Sequence, residues 1–72
     1  MTIADLITIT VNGKEEAVAP GLTVAELLVA RGITTTLVAV ERNGTILRRA
    51  QFPDTVIAAG DKLEIVHFVG GG

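Results

Sequence analysis

Two Asn-Gly dipeptides, Asn12-Gly13 and Asn43-Gly44, each sit between short runs of β-branched and aliphatic residues, and they constrain this chain more than any other feature. An Asn-Gly pair accepts positive φ at both centres of a tight turn, which matches the twist of two antiparallel strands. Ahead of the first pair, Leu6-Ile7-Thr8-Ile9-Thr10-Val11 alternates, with Ile7, Ile9 and Val11 on one face and Thr8 and Thr10 on the other. That is the period of a half-buried strand. Lys14 to Ala19 then returns antiparallel, and the charges of Lys14, Glu15 and Glu16 suit an edge strand guarded against further pairing. The second pair joins an apolar strand, Leu37-Val38-Ala39-Val40, to a short returning strand, Thr45-Ile46-Leu47. Neither dipeptide reads as a site; both are turn chemistry.

Between the hairpins lies one helix, signalled at both ends. Thr23-Val24-Ala25-Glu26 follows Pro20-Gly21 and forms a capping box, with Leu22 and Leu27 at the staple positions. Val24, Leu27 and Leu28 share a face at helical spacing. Gly32 stands where a left-handed cap belongs, so the helix runs from about Val24 to Arg31, with Ile33 able to touch Leu28 across the cap. Thr34-Thr35-Thr36 is expected to be loop. Arg48 to Asp54 is irregular, with Phe52 as a core anchor, and Val56-Ile57 adds a helical turn or a short extended piece. After the Ala59-Gly60-Asp61 turn, Lys62 to Val69 is the longest strand candidate, and it runs into Gly70-Gly71-Gly72.

A chain of 72 residues without cysteine has no disulfide or thiolate-metal staple, so one compact core must hold it. The order β-β-α-β-β-β puts a single helix on one face of a mixed sheet. The long last strand is best placed centrally and parallel to the first, burying Ile7, Ile9, Leu63 and Ile65 under Val24, Leu27 and Leu28. This is an α+β, ubiquitin-like β-grasp arrangement of four to five strands. Residues 1–69 are expected to form the domain and residues 70–72 a flexible glycine tail, since glycine loses the most conformational freedom on ordering.

Composition narrows the function classes. A net charge of −2 without a basic block disfavours nucleic acid and anionic membrane as partners. Two phenylalanines are the only aromatic residues, too few for a base-stacking platform. No apolar run approaches the ~20 residues of a membrane span. Met1-Thr2-Ile3-Ala4-Asp5 lacks the basic and apolar regions of a secretory signal, so a cytoplasmic location is expected. One histidine and no nucleophile–base–acid set point away from an enzyme.

Several stretches together carry a resemblance. They are Val11-Asn12-Gly13, the Thr23-Val24-x-Glu26-Leu27-Leu28 helix start, Val38-Ala39-Val40 with an Asn-Gly soon after, and Gly60-Asp61-x-Leu63-Glu64-Ile65-Val66 closing on glycines. In combination, from about Ile7 to Gly72, they resemble the small prokaryotic sulfur carriers, most of all the ThiS family of thiamine (thiazole) biosynthesis. Three final glycines in place of the minimal two are a small departure. The resemblance implies that a ThiF-type adenylating enzyme uses ATP and Mg to adenylate the carboxylate of Gly72. A sulfur donor such as a cysteine desulfurase then supplies the sulfur of a thiocarboxylate, which a ThiG-type thiazole synthase consumes. Gly70, Gly71 and Gly72 would enter the partner's active site, and the protein itself would bind no cofactor or metal and act as co-substrate. The rival readings are a MoaD-like carrier for molybdopterin synthesis and a non-catalytic β-grasp binding module.

The physics agrees with a carboxylate arm. An α-carboxyl has a reference pKa of about 3.3–3.7, so it is ionised near neutral pH. Residues without β-carbons fit a narrow slot, and three of them span roughly 10 Å when extended. With no thiol in the chain, carried sulfur would have to sit at this terminus. In the last strand Lys62, Glu64, Val66 and Phe68 alternate against Leu63, Ile65, His67 and Val69. If the first set faces solvent, Val66 and Phe68 form an exposed apolar docking patch; the alternative buries Phe68 through a bulge or twist. His67 is expected to be a structural or partly exposed strand residue, and Arg42, Arg48 and Arg49 a solvated loop face.

Overall fold

The computed structural model describes residues 5–68. Five strands form one sheet in the order β2-β1-β5-β3-β4. The strands are β1 (Ile7–Val11), β2 (Lys14–Val18), β3 (Val38–Arg42), β4 (Thr45–Leu47) and β5 (Lys62–His67), and the helix is α1 (Val24–Ala30). The last strand in sequence is therefore the middle one. It runs parallel to β1, pairing Thr10 with Lys62 and Val11 with Leu63, and antiparallel to β3, pairing Val40 with Ile65. The two hairpins flank it.

Both hairpin turns have the geometry the Asn-Gly pairs require: φ is 48° and 83° at Asn12 and Gly13, and 52° and 85° at Asn43 and Gly44. The asparagine side chains do more than permit the turns. Asn12 lies where β1 stops, and its amide takes the place of a further strand residue beside β5. Its Nδ2 donates to the Ile65 carbonyl (3.2 Å), and its Oδ1 accepts from the Ile65 N–H (2.7 Å). At the other turn, the Lys62 N–H donates to Asn43 Oδ1 (2.8 Å), and the Asn43 N–H donates to the Lys62 carbonyl (2.8 Å). Each turn thus clamps β5 from its own side, a role that turn chemistry alone does not express.

The helix carries the caps its sequence announces. The Glu26 N–H donates to Thr23 Oγ1 (3.1 Å), and the Thr23 N–H donates to the Glu26 carboxylate (2.9 Å). At the far end Gly32 adopts φ 70°; its N–H donates to the Val29 carbonyl (3.0 Å) and the Ile33 N–H to the Leu28 carbonyl (2.9 Å). Those two bonds define a Schellman ending. Thr23→Ala removes one acceptor at the N-terminus and is expected to cost about 1 kcal/mol. Urea unfolding checks this, and an unchanged midpoint would mean that water or Glu26 replaces the cap.

One face of α1 closes the core. Val24, Leu27 and Leu28 pack on Ile9, Val11, Val38, Val40, Leu63 and Ile65, with Phe52 and Ile57 filling the side. Ile7 is half-buried at the margin, shallower than the alternation suggests. Two further boundaries differ from the sequence reading, and at Val56-Ile57 the structure takes the extended piece in preference to the helical turn. Thr35–Leu37 forms a 3-10 turn, so β3 begins at Val38 and runs on through Glu41-Arg42 to the hairpin. Arg49–Asp54 is a 3-10 helix in place of irregular chain, with Phe52 as its one buried residue. Val56 forms an isolated bridge with Thr23, which leaves Val56 exposed and Ile57 buried. Short i→i+3 turns carry no apolar period, so alternation does not reveal them.

Both sheet edges are blunted. β2 presents Lys14 and Glu15 to solvent, while Glu16 turns to the helix side and pairs with Arg31. That pair is partly exposed and worth only a few tenths of a kcal/mol to about 1 kcal/mol. β4 is three residues long. Long exposed edges invite further strand pairing; these are charged or short.

Candidate functional site

Strand parity sorts the sheet into a packed face and an open one. On β5, Leu63 and Ile65 point into the core, whereas Lys62, Glu64 and Val66 are exposed. Phe68 continues the series. Its N–H donates to the Leu37 carbonyl (2.9 Å), extending the β3–β5 register by one step, and its side chain is 56% exposed. No bulge or twist carries it into the core. Val66, also 56% exposed, stands opposite Ala39. Leu37 (54%) and Ile46 (69%) lie on the same side by parity, Leu37 opposite Phe68 and Ile46 opposite Glu41. Four of the seven large hydrophobic residues exposed among the described residues therefore gather on one sheet face. Gatherings of this kind mark interaction surfaces more often than scattered exposed residues do.

Glu41 and Glu64 stand directly opposite each other on that open face. Among the described residues neither forms an ion pair within 4.0 Å; the pairs found are Arg31–Glu16 and Arg42–Asp61. Lys62, one step along β5 on the same face, reaches neither carboxylate.

A second polar cluster lies beneath the start of β5, and it is structural. Asp61 is 5% exposed, the one buried charged side chain among the described residues. Its carboxylate accepts from Arg42 Nε (2.8 Å), Asn43 Nδ2 (3.0 Å) and the Ala58 N–H (2.8 Å). Its backbone carbonyl accepts from the Thr10 N–H (2.9 Å). Burial alone pushes the carboxyl pKa up, but the three hydrogen bonds and the charge of Arg42 outweigh it and hold Asp61 below its ordinary value. Arg42 is therefore no solvated loop residue: it closes β3 in phase with Val38 and Val40 and pins the turn before β5. A sequence signal for this existed. Asp61 falls in phase with Leu63 and Ile65, so alternation put a carboxylate on the core side.

His67 ends β5 and is exposed. Arg48 and Arg49 are exposed as expected. Gly70, Gly71 and Gly72, the expected carrier residues, lie outside the described residues, as does Val69. So do Met1 to Ala4, on which the reading of a missing signal rested. Among the described residues no group of three or more His, Asp or Glu is placed to hold a metal ion, and no helix is long and apolar enough to cross a membrane.

A mixed sheet with a parallel β1–β5 centre, two flanking hairpins and one covering helix defines the class as ubiquitin-like β-grasp. Within that class the chain belongs to the ThiS family, which it matches over residues 3–72. The crystal structure of a thiamine biosynthesis protein (ThiS) from Geobacter metallireducens superposes with a TM-score of 0.79 at 42% identity, covering 92% of this chain and all of that one. The sulfur carrier protein ThiS of Bacillus subtilis is 38% identical over 50 residues, 69% of this chain and 76% of that protein. A thiazole synthase from Paramagnetospirillum magneticum is 41% identical over 64 residues, 89% of this chain. The chain spans only a fifth of the length of that thiazole synthase, and the same holds for one from Magnetococcus marinus.

Proposed function

We propose that this protein is a sulfur carrier of thiamine biosynthesis that holds its sulfur as a thiocarboxylate on Gly72. The observation that carries the reading is the family match through residue 72, with a relative that is itself a sulfur carrier. In the proposed reaction a carboxylate oxygen of Gly72 attacks the α-phosphate of ATP, and pyrophosphate leaves. The terminal sulfur of an enzyme persulfide then attacks the acyl carbon, and AMP leaves. A thiol cleaves the resulting acyl disulfide, which frees the thiocarboxylate. The adenylating enzyme supplies Mg and the cationic groups that stabilise the phosphates, because one anion repels another. The role of the β-grasp domain is to dock, which offsets the roughly 1–2 kcal/mol per residue of ordering Gly70 to Gly72 in the enzyme's slot.

Thiazole synthase is the proposed sulfur acceptor. In two thiazole synthases a segment like this chain forms part of the same polypeptide, an arrangement that raises the effective concentration of one partner for the other. The protein is then a co-substrate of two enzymes, working in the cytoplasm with a cysteine desulfurase upstream.

Incubation with a ThiF-type enzyme, Mg-ATP and a persulfide sulfur source, followed by intact mass measurement, tests this. The expected result is the gain of one sulfur for one oxygen, abolished when the Gly72 carboxylate is amidated. An unchanged mass with an enzyme shown to be competent on another carrier would sink the thiocarboxylate mechanism. A gain that survives amidation would move the chemistry off Gly72.

A further inference from the structure

We propose that Asn43-Gly44 is a site of self-modification: a deamidation that stays shut while the second hairpin is seated against β5, and that prevents the hairpin from reseating once it has occurred.

The chemistry belongs to the dipeptide, asparagine being among the chemically labile residues. When the Gly44 amide gives up its proton to solvent base, its nitrogen attacks the side-chain carbonyl carbon of Asn43. The bond from that carbon to Nδ2 breaks, and ammonia leaves. The product is a five-membered cyclic imide, which one water opens at either carbonyl to give aspartate or isoaspartate. One water enters, one ammonia departs, and nothing is oxidised or reduced. Glycine presents the least hindered nitrogen for the attack, since no β-carbon stands beside it. Asn43 and Gly44 are both exposed, so water reaches them.

Access alone does not close the ring. Asn43 Oδ1 accepts from the Lys62 N–H (2.8 Å), and its Nδ2 donates to Asp61 Oδ1 (3.0 Å). Ring closure turns the side chain back onto its own backbone, away from residues 61 and 62, so both bonds have to break first. Asn12-Gly13 carries the same chemistry and a comparable anchor, with Nδ2 on the Ile65 carbonyl (3.2 Å) and Oδ1 on the Ile65 N–H (2.7 Å). The hairpin behind each dipeptide separates them. β1 and β2 share five register pairs, whereas β3 and β4 share three. A hairpin held by fewer pairs opens locally at lower free energy, so Asn43 is released before Asn12.

The product does not fit the place it left. An oxygen replaces Nδ2 opposite the buried Asp61 carboxylate, so a donor–acceptor contact becomes one between two anions. Like charges at contact distance away from water disfavour that arrangement. Isoaspartate also adds a methylene to the backbone, which breaks the two-residue turn made by Asn43 (φ 52°) and Gly44 (φ 85°). At Asn12 the new oxygen would meet a neutral carbonyl, a milder conflict.

The test ages the full chain in mildly alkaline buffer and follows it by intact mass. Peptide mapping and an isoaspartate-specific methyltransferase locate the product. Urea-unfolded parent, Asp61→Ala and Phe52→Ala are aged alongside. The expected result is exchange of one NH for one O at Asn43 ahead of Asn12, with folded parent reacting at Asn43 roughly tenfold or more slowly than unfolded parent. Asp61→Ala removes one anchor and should speed Asn43 relative to Asn12. Phe52→Ala weakens the domain without touching either turn, and should speed Asn12 at least as much as Asn43. The aged fraction, separated by charge, should unfold at lower urea than the parent, as should Asn43→Asp, with Asn12→Asp losing less. Equal rates in folded and unfolded parent overturn the proposal, and that comparison decides even where Asp61→Ala fails to fold. Reaction at Asn12 first, a folded Asp61→Ala with an unchanged Asn43 rate, or an aged fraction that unfolds at the parent's midpoint also overturns it.

Discussion

Phe52→Ala is expected to destabilise the protein by about 3–5 kcal/mol, the range for deleting a buried aromatic ring. Phe52 is 2% exposed and is the one buried side chain of the 3-10 helix Arg49–Asp54, which packs against α1. The rest of that segment is tied by short-range bonds: Arg48 N–H to Gln51 Oε1 (2.7 Å), Gln51 N–H to the Arg48 carbonyl (2.8 Å) and Thr55 Oγ1 to the Gln51 carbonyl (2.7 Å). None of these reaches the core. Without the ring, a cavity opens beneath α1 and the segment loses its one buried side chain, leaving backbone bonds such as Val24 N–H to the Thr55 carbonyl (2.9 Å) to hold it to the helix. A domain of this size has only about 4–11 kcal/mol of stability, so the substitution removes roughly a quarter of it or more. The melting temperature should fall by roughly 4–8 °C per kcal/mol. Urea unfolding checks the figure, and a loss below about 1 kcal/mol would show that neighbouring side chains collapse into the space.

Asp61→Ala is expected to cost about 2–4 kcal/mol through a different mechanism. The substitution strands three donors at once, on Arg42, Asn43 and Ala58, and leaves the half-buried Arg42 charge without its partner. The pH dependence has a definite sign. The folded-state pKa of Asp61 lies below its ordinary value, so its contribution is fully present above the unfolded carboxylate pKa of about 3.9. As pH falls past that value toward the lower folded pKa, the contribution is lost. The parent should therefore show a steep stability loss below about pH 4, and Asp61→Ala a shallower one. Glu16, lowered mainly by its hydrogen bond from Arg31, adds a slope of the same sign, but its partial exposure keeps that small. Parallel acid profiles for parent and variant would overturn this account of Asp61.

The two clusters of side chains on β5 divide the work of the domain. On the core side Asp61, Leu63 and Ile65 attach the strand to the helix, to β1 and to the second hairpin. On the open side Glu64, Val66 and Phe68 face outward, and no element among the described residues covers them. A central strand held from both neighbours is a rigid support for the open face it carries.

Much of this was legible from residues alone, because local rules settle it. Asn-Gly between alternating runs determines a hairpin, Thr23 with Glu26 determines a helix start, and Gly32 determines its end; each depends on atoms a few residues apart. Even the exposure of Val66 and Phe68 follows from a period of two. What the tertiary structure alone decided is who stands beside whom across the sheet. The Arg42–Asp61 pair, the amide clamps of Asn12 on Ile65 and Asn43 on Lys62, and the confrontation of Glu41 with Glu64 join positions 19 to 53 residues apart. Register is a collective outcome of both turns and the whole core, so no local pattern encodes it.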